Sequence, residues 1–146
     1  MSQIKLAIAS DHAGFEFKEK LKEYLHLKNY TIHDFGTYST ESADYPDFAH
    51  PLAISVEKGE YVFGITLCGS GKGISMTANK HQGIRSALCW NKEISELARL
   101  HNDANVCSIP ARFVSFDQAK EIVDAFLNTS FEGGRHLKRV EKIAVK

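Results

Sequence analysis

The residues of this 146-residue chain that could do chemistry are concentrated in two short segments, each following an apolar run. The first is Ser10-Asp-His-Ala-Gly14 and the second is Cys68-Gly-Ser-Gly-Lys-Gly73. Together they offer a carboxylate, an imidazole, a thiol and a backbone made flexible by glycine. These groups suit proton transfer and the binding of an anion by backbone amides.

The glycine-rich segment matches neither of two familiar nucleotide-binding motifs. A P-loop has glycine where this chain has Thr66, and serine or threonine where it has Gly73. A dinucleotide-binding fingerprint requires glycine at the position of Ile74. Two interpretations remain: a tight strand-to-helix turn, or backbone N–H groups at a helix N-terminus that hold an anion or a developing oxyanion.

Cys68 favours the functional interpretation of this loop. A thiol just before a helix N-terminus is placed where the thiolate form is favoured. Cys89 and Cys107, inside predicted strands, are expected to be buried structural cysteines instead. Three widely spaced cysteines predict neither a disulfide framework nor a zinc site, and they favour a reducing cytosol.

Other polar residues have both a structural and a functional interpretation. Asp11 can cap the next helix, and His101 can interact with the dipole at a helix C-terminus. Arg135 and Arg139, four residues apart on one helical face, could reach one phosphate or could form a solvated face. Arg112, after the fifth strand, is a further candidate for anion binding. The histidines without metal-ligand spacing are predicted to lie on the surface: His26, His33, His50, His81 and His136.

The elements that must position these residues follow from the hydrophobic pattern. Five short apolar runs predict strands, and amphipathic segments between them predict helices. Because most strands are apolar on both faces, we expect one α/β domain over residues 1–146, a three-layer α-β-α sandwich around a Rossmann-like five-stranded parallel sheet. The predicted strands are 4–9, 30–35, 62–67, 85–90 and 106–109, and the predicted helices are 15–27, 46–56, 74–80, 92–100, 116–127 and a C-terminal helix over 134–146.

The expected strand order is 2-1-3-4-5. Successive strands are added towards one edge up to strand 2 and towards the other edge from strand 3 onwards, so the order reverses between strands 1 and 3. Ligands bind beyond the carboxyl ends of parallel strands at such a reversal, where the two reactive segments would meet. His101 and Asn102 instead come just before the fifth strand, so we expect them at the opposite edge of the sheet.

Composition excludes several classes of partner. The chain has 18 basic and 18 acidic residues and a formal net charge of zero, which predicts no general attraction to nucleic acid or anionic membranes. Its apolar runs are shorter than the roughly 20 residues that span a bilayer, and the N-terminus has no signal-like apolar stretch. These features predict a cytoplasmic protein that acts on a small molecule.

The motifs, taken together and in order, resemble the family that contains the type B ribose-5-phosphate isomerases and the galactose-6-phosphate isomerases. The resemblance covers almost the whole chain. The matching stretches are Ser10-Asp-His-Ala-Gly14, Asp44-Tyr-Pro46, Cys68-Gly-Ser-Gly-Lys-Gly-Ile-Ser75, Ala78-Asn-Lys80, His101-Asn-Asp103 and Glu132-Gly-Gly-Arg-His136.

The resemblance implies an aldose–ketose isomerase that interconverts ribose 5-phosphate and ribulose 5-phosphate in the pentose phosphate pathway, through an enediolate and without a metal or organic cofactor. It implies that Cys68 moves the proton and that His101 opens the sugar ring with help from Asp11. Some members carry a glutamate where this chain has Ile74, so the chain is of the cysteine type. The implied substrate-binding residues are Asp11 and Asn102 for the sugar, Tyr45 lining its site, Ser70 with the amides of Gly69, Gly71 and Gly73 for the enediolate oxygens, and His12, Arg112, Arg135 and Arg139 for the phosphate.

Two alternatives stay open at this stage. Allose or galactose 6-phosphate could be the substrate, although the presence of all catalytic groups in one chain favours a self-sufficient homo-oligomer. A flavodoxin-like binding module is disfavoured, because a receiver needs an aspartate in place of Cys68 and a flavin site needs a Ser/Thr-rich loop after strand 1. If His101 is the ring-opening acid, its position requires a neighbouring subunit to supply it, in a homodimer or possibly a tetramer with shared sites.

Overall fold

The computed structural model describes residues 4–145, in which helices and strands alternate along the chain. The helix predicted over 15–27 is found with those bounds, and the other strands and internal helices begin and end within two residues of their predicted limits. The elements are β1 (Lys5–Ser10), α1 (Phe15–Leu27), β2 (Thr31–Asp34), α2 (Tyr45–Glu57), β3 (Phe63–Cys68), α3 (Lys72–Ala78), β4 (Ser86–Leu88), α4 (Lys92–Asn102), β5 (Val106–Pro110), α5 (Phe116–Asn128), a 3-10 turn (Gly134–His136) and α6 (Leu137–Val140).

The five strands form one parallel sheet with helices on both faces, which confirms the predicted three-layer α/β class. Successive side chains of a strand point to opposite faces. Leu6 and Ile8 of β1 join a core with α1, α4 and α5, whereas Ala7 and Ala9 join a second core with α2 and α3. Burial on both faces explains why the three inner strands, β1, β3 and β5, are mostly apolar. In the described part of the chain, no helix is long and apolar enough to cross a membrane.

The predicted strand order was wrong on one side of the sheet. The observed order is β2-β1-β3-β5-β4, so β5 lies beside β3 and β4 forms the edge. All five residues of β5 are buried, whereas the three residues of β4 are partly exposed. A fully apolar strand is most stable with neighbours on both sides, and a short strand with a serine suits the edge.

The predicted C-terminal helix over 134–146 was also wrong in length. A 3-10 turn at Gly134–His136 leads into the single turn Leu137–Val140, and the chain to residue 145 is not helical. Leu137, Ile143 and Val145 are exposed, so these apolar side chains are not buried against the rest of the chain. Short helices depend on such burial for their stability.

Candidate active site

The carboxyl ends of β1 and β3 bring the two reactive segments together, as the predicted reversal between strands 1 and 3 requires. Ser10 pairs with Leu67 in the sheet register, and the amide of Asp11 donates to the Leu67 carbonyl at 3.2 Å. Asp11 and Cys68 therefore leave adjacent strands at the same edge of the sheet.

The thiol of Cys68 lies in a small apolar environment at this edge. Cys68 is only 4% exposed and packs with Ala49 of α2 and Ile74 of α3. Its carbonyl accepts a hydrogen bond from the amide of Ala111 at 3.0 Å, which fixes the end of β3 against the loop after β5. The thiol is thus held in place by its neighbours and largely shielded from bulk water.

Two glycines allow side chains to lie directly on the glycine-rich loop. A Cβ atom on Gly69 would lie 3.3 Å from Nη1 of Arg112, whose amide donates to the Gly69 carbonyl at 3.0 Å. A Cβ atom on Gly73 would lie 2.7 Å from the hydroxyl of Tyr45. The loop is therefore bordered by a guanidinium group on one side and a phenol on the other.

The corrected strand order explains why Arg112 reaches this loop. Because β5 is the neighbour of β3, Cys68 pairs with Pro110 and the residues after both strands are adjacent. In the predicted order, the end of strand 5 would have been two strands away. In the sequence Arg112 was one of several candidate cations of similar weight, and its contact with Gly69 became evident only from the sheet order.

The conformation of the glycine-rich loop also depends on Gly71. Its φ of +74° is in the left-handed region, and an added Cβ would lie 2.5 Å from Cδ1 of Leu88. The hydroxyl of Ser70 accepts a 3.4 Å hydrogen bond from the amide of Lys72, the first residue of α3. The helix begins two residues before its predicted start, so the loop is a compact turn.

Asp11 and His12 lie in the loop after β1, which adjoins the glycine-rich loop. Oδ1 of Asp11 accepts hydrogen bonds from the amides of Ala13 at 2.9 Å and Gly14 at 3.2 Å, so this carboxylate orders the loop before α1. Nδ1 of His12 lies 3.1 Å from the amide nitrogen and 3.3 Å from the carbonyl oxygen of Ala43. In the tautomer in which that amide donates to Nδ1, the proton is on Nε2.

A buried ion pair between Lys18 and Asp34 is connected to this loop through Gly36. Lys18 is fully buried and its ammonium group donates to Asp34, whose other carboxylate oxygen accepts from the amide of Gly36 at 2.8 Å. The carbonyl of Gly36 in turn accepts from the amide of Ser10 at 2.7 Å. Burial alone would raise the pKa of Asp34, but hydrogen bonds from Lys18, Lys22 and the Gly36 amide lower it below its usual value.

His101 and Asn102 lie at the other edge of the sheet. They end α4, which runs back across the sheet before β5 begins at Val106. Val106 and Pro110 are four residue steps apart along β5, which corresponds to ~13 Å at about 3.3 Å per step. The sheet therefore separates His101 from the Cys68 of its own chain, as the topology predicted.

The C-terminal segment adds a group of side chains beside His101. The ring of His136 stacks on that of His101 with centroids 4.3 Å apart, and Glu132 Oε2 lies 3.9 Å from His101 Nε2 and 3.8 Å from His136 Nε2. Partial burial, the proximity of His101 and the positive charges of Arg135 and Arg139 lower the pKa of His136, although Glu132 opposes them.

The prediction that His136 lies on the surface was wrong. The residue is only 8% exposed. The i, i+4 spacing of Glu132 and His136 was the available signal. It was not informative alone, because Gly133 and Gly134, both with positive φ, interrupt any regular helix between them.

The predicted site residues thus fall into two groups within this chain. His101, Asn102, Arg135 and Arg139 belong to the amino-edge group. The carboxyl-edge group consists of Asp11, His12, Tyr45, Cys68, Gly69, Ser70, Gly71, Gly73 and Arg112.

Comparisons with known proteins identify what this arrangement is similar to. Residues 6–143 match a family described as Ribose/Galactose Isomerase. Ribose-5-phosphate isomerase B of Escherichia coli K12 is 44% identical over 139 residues, which cover 95% of this chain and 93% of that protein. The crystal structure of a ribose 5-phosphate isomerase from Thermotoga maritima has a TM-score of 0.96 and 50% identity, covering 98% of this chain and 99% of that chain. The crystal structure of ribose-5-phosphate isomerase B from Mycoplasma genitalium, with bound ribulose-5-phosphate, has a TM-score of 0.93 and 41% identity. The match covers 98% of this chain and 95% of that chain.

Proposed function

The chain belongs to the ribose/galactose isomerase family, and from that membership we propose that it interconverts ribose 5-phosphate and ribulose 5-phosphate in the cytoplasm, with Cys68 as the proton-transfer base. Membership confirms the resemblance drawn from the sequence motifs, and the chain is an isomerase. The observation that carries the proposed chemistry is the position of Cys68: a shielded thiol at the β1–β3 reversal, beside the glycine-rich loop and Arg112.

The proposed proton transfer uses only groups at the carboxyl edge. In the open-chain aldose, Cys68 removes the proton from C2, the C2–H electron pair forms the C1–C2 double bond, and O1 takes up negative charge. Return of this proton to C1, with transfer of the O2 proton to O1, gives the ketose. Ser70 and the amides of Gly69, Gly71 and Gly73 would hold the enediolate oxygens, because N–H groups fixed beforehand stabilise charge as it develops.

The amino-edge group completes this site only if a second subunit provides it. Ring opening requires an acid, and the phosphate requires cations. His101 of the partner subunit would supply the acid, with Asp11 assisting. The partner's Asn102 would bind sugar hydroxyls. The partner's Arg135 and the partner's Arg139 would join His12 and Arg112 at the phosphate, with Tyr45 lining the sugar site.

We therefore propose a homodimer with two equivalent shared sites. The separation of the two groups by the sheet supports it, because one subunit alone cannot place His101 near Cys68. One sequence contains all of these groups, which supports a homo-oligomer rather than an enzyme made of two different proteins.

An isomerase assay with purified protein tests the substrate. Ribose 5-phosphate should be converted with a kcat/KM at least about tenfold above those for allose 6-phosphate and galactose 6-phosphate. A preference for either hexose phosphate would overturn the pentose assignment while leaving family membership intact.

The phosphate contacts predict a specific effect on substrate affinity. Arg135→Ala and Arg139→Ala should each weaken binding of ribose 5-phosphate by about 1.5–3 kcal/mol, since each removes a charged hydrogen bond. This corresponds to a KM increase of roughly 10- to 150-fold. Lys138→Ala is the matched control, because Lys138 is an exposed cation next to Arg139 in α6. If all three variants have the KM of the unmodified protein, the arginines form only a solvated surface.

A further inference from the structure

The side chains of His101, Glu132 and His136 form a compact set of metal-ligand types at the amino edge. One donor atom from each lies within 4.8 Å of the others. Ligand atoms around a tetrahedral Zn²⁺ with bonds of about 2.0–2.1 Å lie ~3.3 Å apart. Glu132 Oε2 lies 3.9 Å from His101 Nε2 and 3.8 Å from His136 Nε2, so these two separations need to close by about half an ångström. Because the two imidazole rings stack with centroids 4.3 Å apart, the partly exposed ring of His101 must also turn so that a nitrogen of each ring points to one ion.

His136 provides an independent sign that the set lacks a partner. It is 8% exposed, and its Nε2 atom is buried with no hydrogen-bond partner in the described part of the chain. A buried polar atom without a partner costs free energy, so such atoms are rare unless something binds them. This nitrogen lies 3.8 Å from Glu132 Oε2, and the ring that carries it stacks on that of His101.

The backbone holds the three ligands in this arrangement. The amide of Glu132 donates to the carbonyl of Leu100 at 3.1 Å, which ties the segment to the end of α4. The amide of His136 donates to the carbonyl of Gly133 at 3.1 Å. Gly133 has a φ of +71° and Gly134 a φ of +57°, a turn that brings residue 136 back towards residue 132.

From this geometry we infer that His101, Glu132 and His136 bind one borderline divalent metal ion, of which Zn²⁺ is the representative. Two imidazoles and a carboxylate suit Zn²⁺ better than Ca²⁺ or Mg²⁺, which prefer oxygen ligands. Partial exposure of His101 and Glu132 leaves the fourth position of the metal open to water or another ligand.

A metal at this site is an inhibitor of the isomerase rather than a cofactor, a consequence that rests on the proposed function. The ring-opening acid needs a proton on the imidazole, and the metal occupies His101 Nε2 in its place. Free Zn²⁺ therefore blocks ring opening at the neighbouring subunit's cleft without touching Cys68.

Direct titration tests the site independently of activity. Zn²⁺ is titrated calorimetrically into the intact Cys68→Ala protein, which removes the thiol at the carboxyl edge as a competing ligand. One Zn²⁺ should bind per subunit, and Glu132→Gln or His136→Gln in the same background should weaken binding at least tenfold. Glu132 is exposed, so its variant keeps the test valid if the buried His136 variant fails to fold.

A second histidine pair provides the matched control. Nδ1 of His50 lies 2.7 Å from Nε2 of His81 on another surface, and His81→Gln should leave the titration unchanged. Loss of binding in His81→Gln but not in Glu132→Gln would overturn the site. So would a dissociation constant weaker than about 1 mM in the Cys68→Ala protein.

Activity measurements then test the inhibition separately. With Cys68 intact, Zn²⁺ should inhibit isomerisation, EDTA should reverse the inhibition, and the residual activity of Glu132→Gln should no longer respond to Zn²⁺. Binding without inhibition would contradict the inhibitory role and the assignment of His101 as the acid, but not the metal site. Absence of binding would overturn the metal site, whatever the activity.

Discussion

Replacing Cys68 with alanine should lower kcat for ribose 5-phosphate isomerisation by about 100- to 10,000-fold, the range expected for loss of a positioned general base. The dissociation constant for ribose 5-phosphate should change by less than about threefold, because the proposed phosphate contacts lie on other residues. Turnover measured by ketose formation and binding measured by calorimetry provide the two values.

Cys107→Ala is the matched control for this substitution. Cys107 is buried within β5, where a hydrogen bond with Cys89 and burial raise its pKa well above the usual value, so it remains a neutral thiol. Its removal should leave kcat nearly unchanged. Iodoacetamide should react at Cys68 in preference to Cys107, and bound substrate should slow that reaction. Near-normal turnover by Cys68→Ala would remove Cys68 from the mechanism.

Replacing His101 with alanine should also lower kcat by about 100-fold or more, because the variant can use only sugar whose ring has already opened. His81→Ala is the control, since His81 is another partly exposed histidine outside both groups of site residues.

Dilution of the unmodified protein should also lower activity: once dimers dissociate, specific activity should fall towards zero. A dilute monomer with full specific activity would show that one subunit contains a complete site.

The carboxyl edge of the sheet could be predicted from the sequence because its signals are local. Apolar runs located β1 and β3, and the residues directly after them had to share one edge of a parallel sheet. The helical spacing of Phe17, Leu21, Tyr24 and Leu25 predicted α1 with its observed bounds, since these side chains pack in the core between α1 and the sheet.

Other features depend on contacts between distant parts of the chain. Which of β4 and β5 lies beside β3 is decided by burial of whole strands, and this order alone places Arg112 on Gly69. Glu132 and His136 gain significance only through His101, which is about 30 positions earlier in the chain. Their approach depends on the end of α4 and a two-glycine turn that no hydrophobic pattern encodes.

The burial of Lys18 is another feature that could not be predicted from the sequence. In the sequence it is one of several lysines on α1, and lysine is rarely buried. The structure buries it fully, because Asp34 of β2 provides a carboxylate at that position. This pairing satisfies the buried charge. The predicted order did place strand 2 beside strand 1, but no hydrophobic pattern shows that Asp34 meets Lys18 there.

Mixing two inactive variants tests the shared site most directly. Cys68→Ala and His101→Ala are purified separately, combined in equal amounts under conditions that allow subunit exchange, and assayed with ribose 5-phosphate. Half of the dimers should then be mixed, and each mixed dimer has one site with both unmodified groups, so activity should recover to about a quarter of that of the unmodified protein. If exchange is demonstrated and activity stays at the level of the separate variants, Cys68 and His101 do not act together across the dimer.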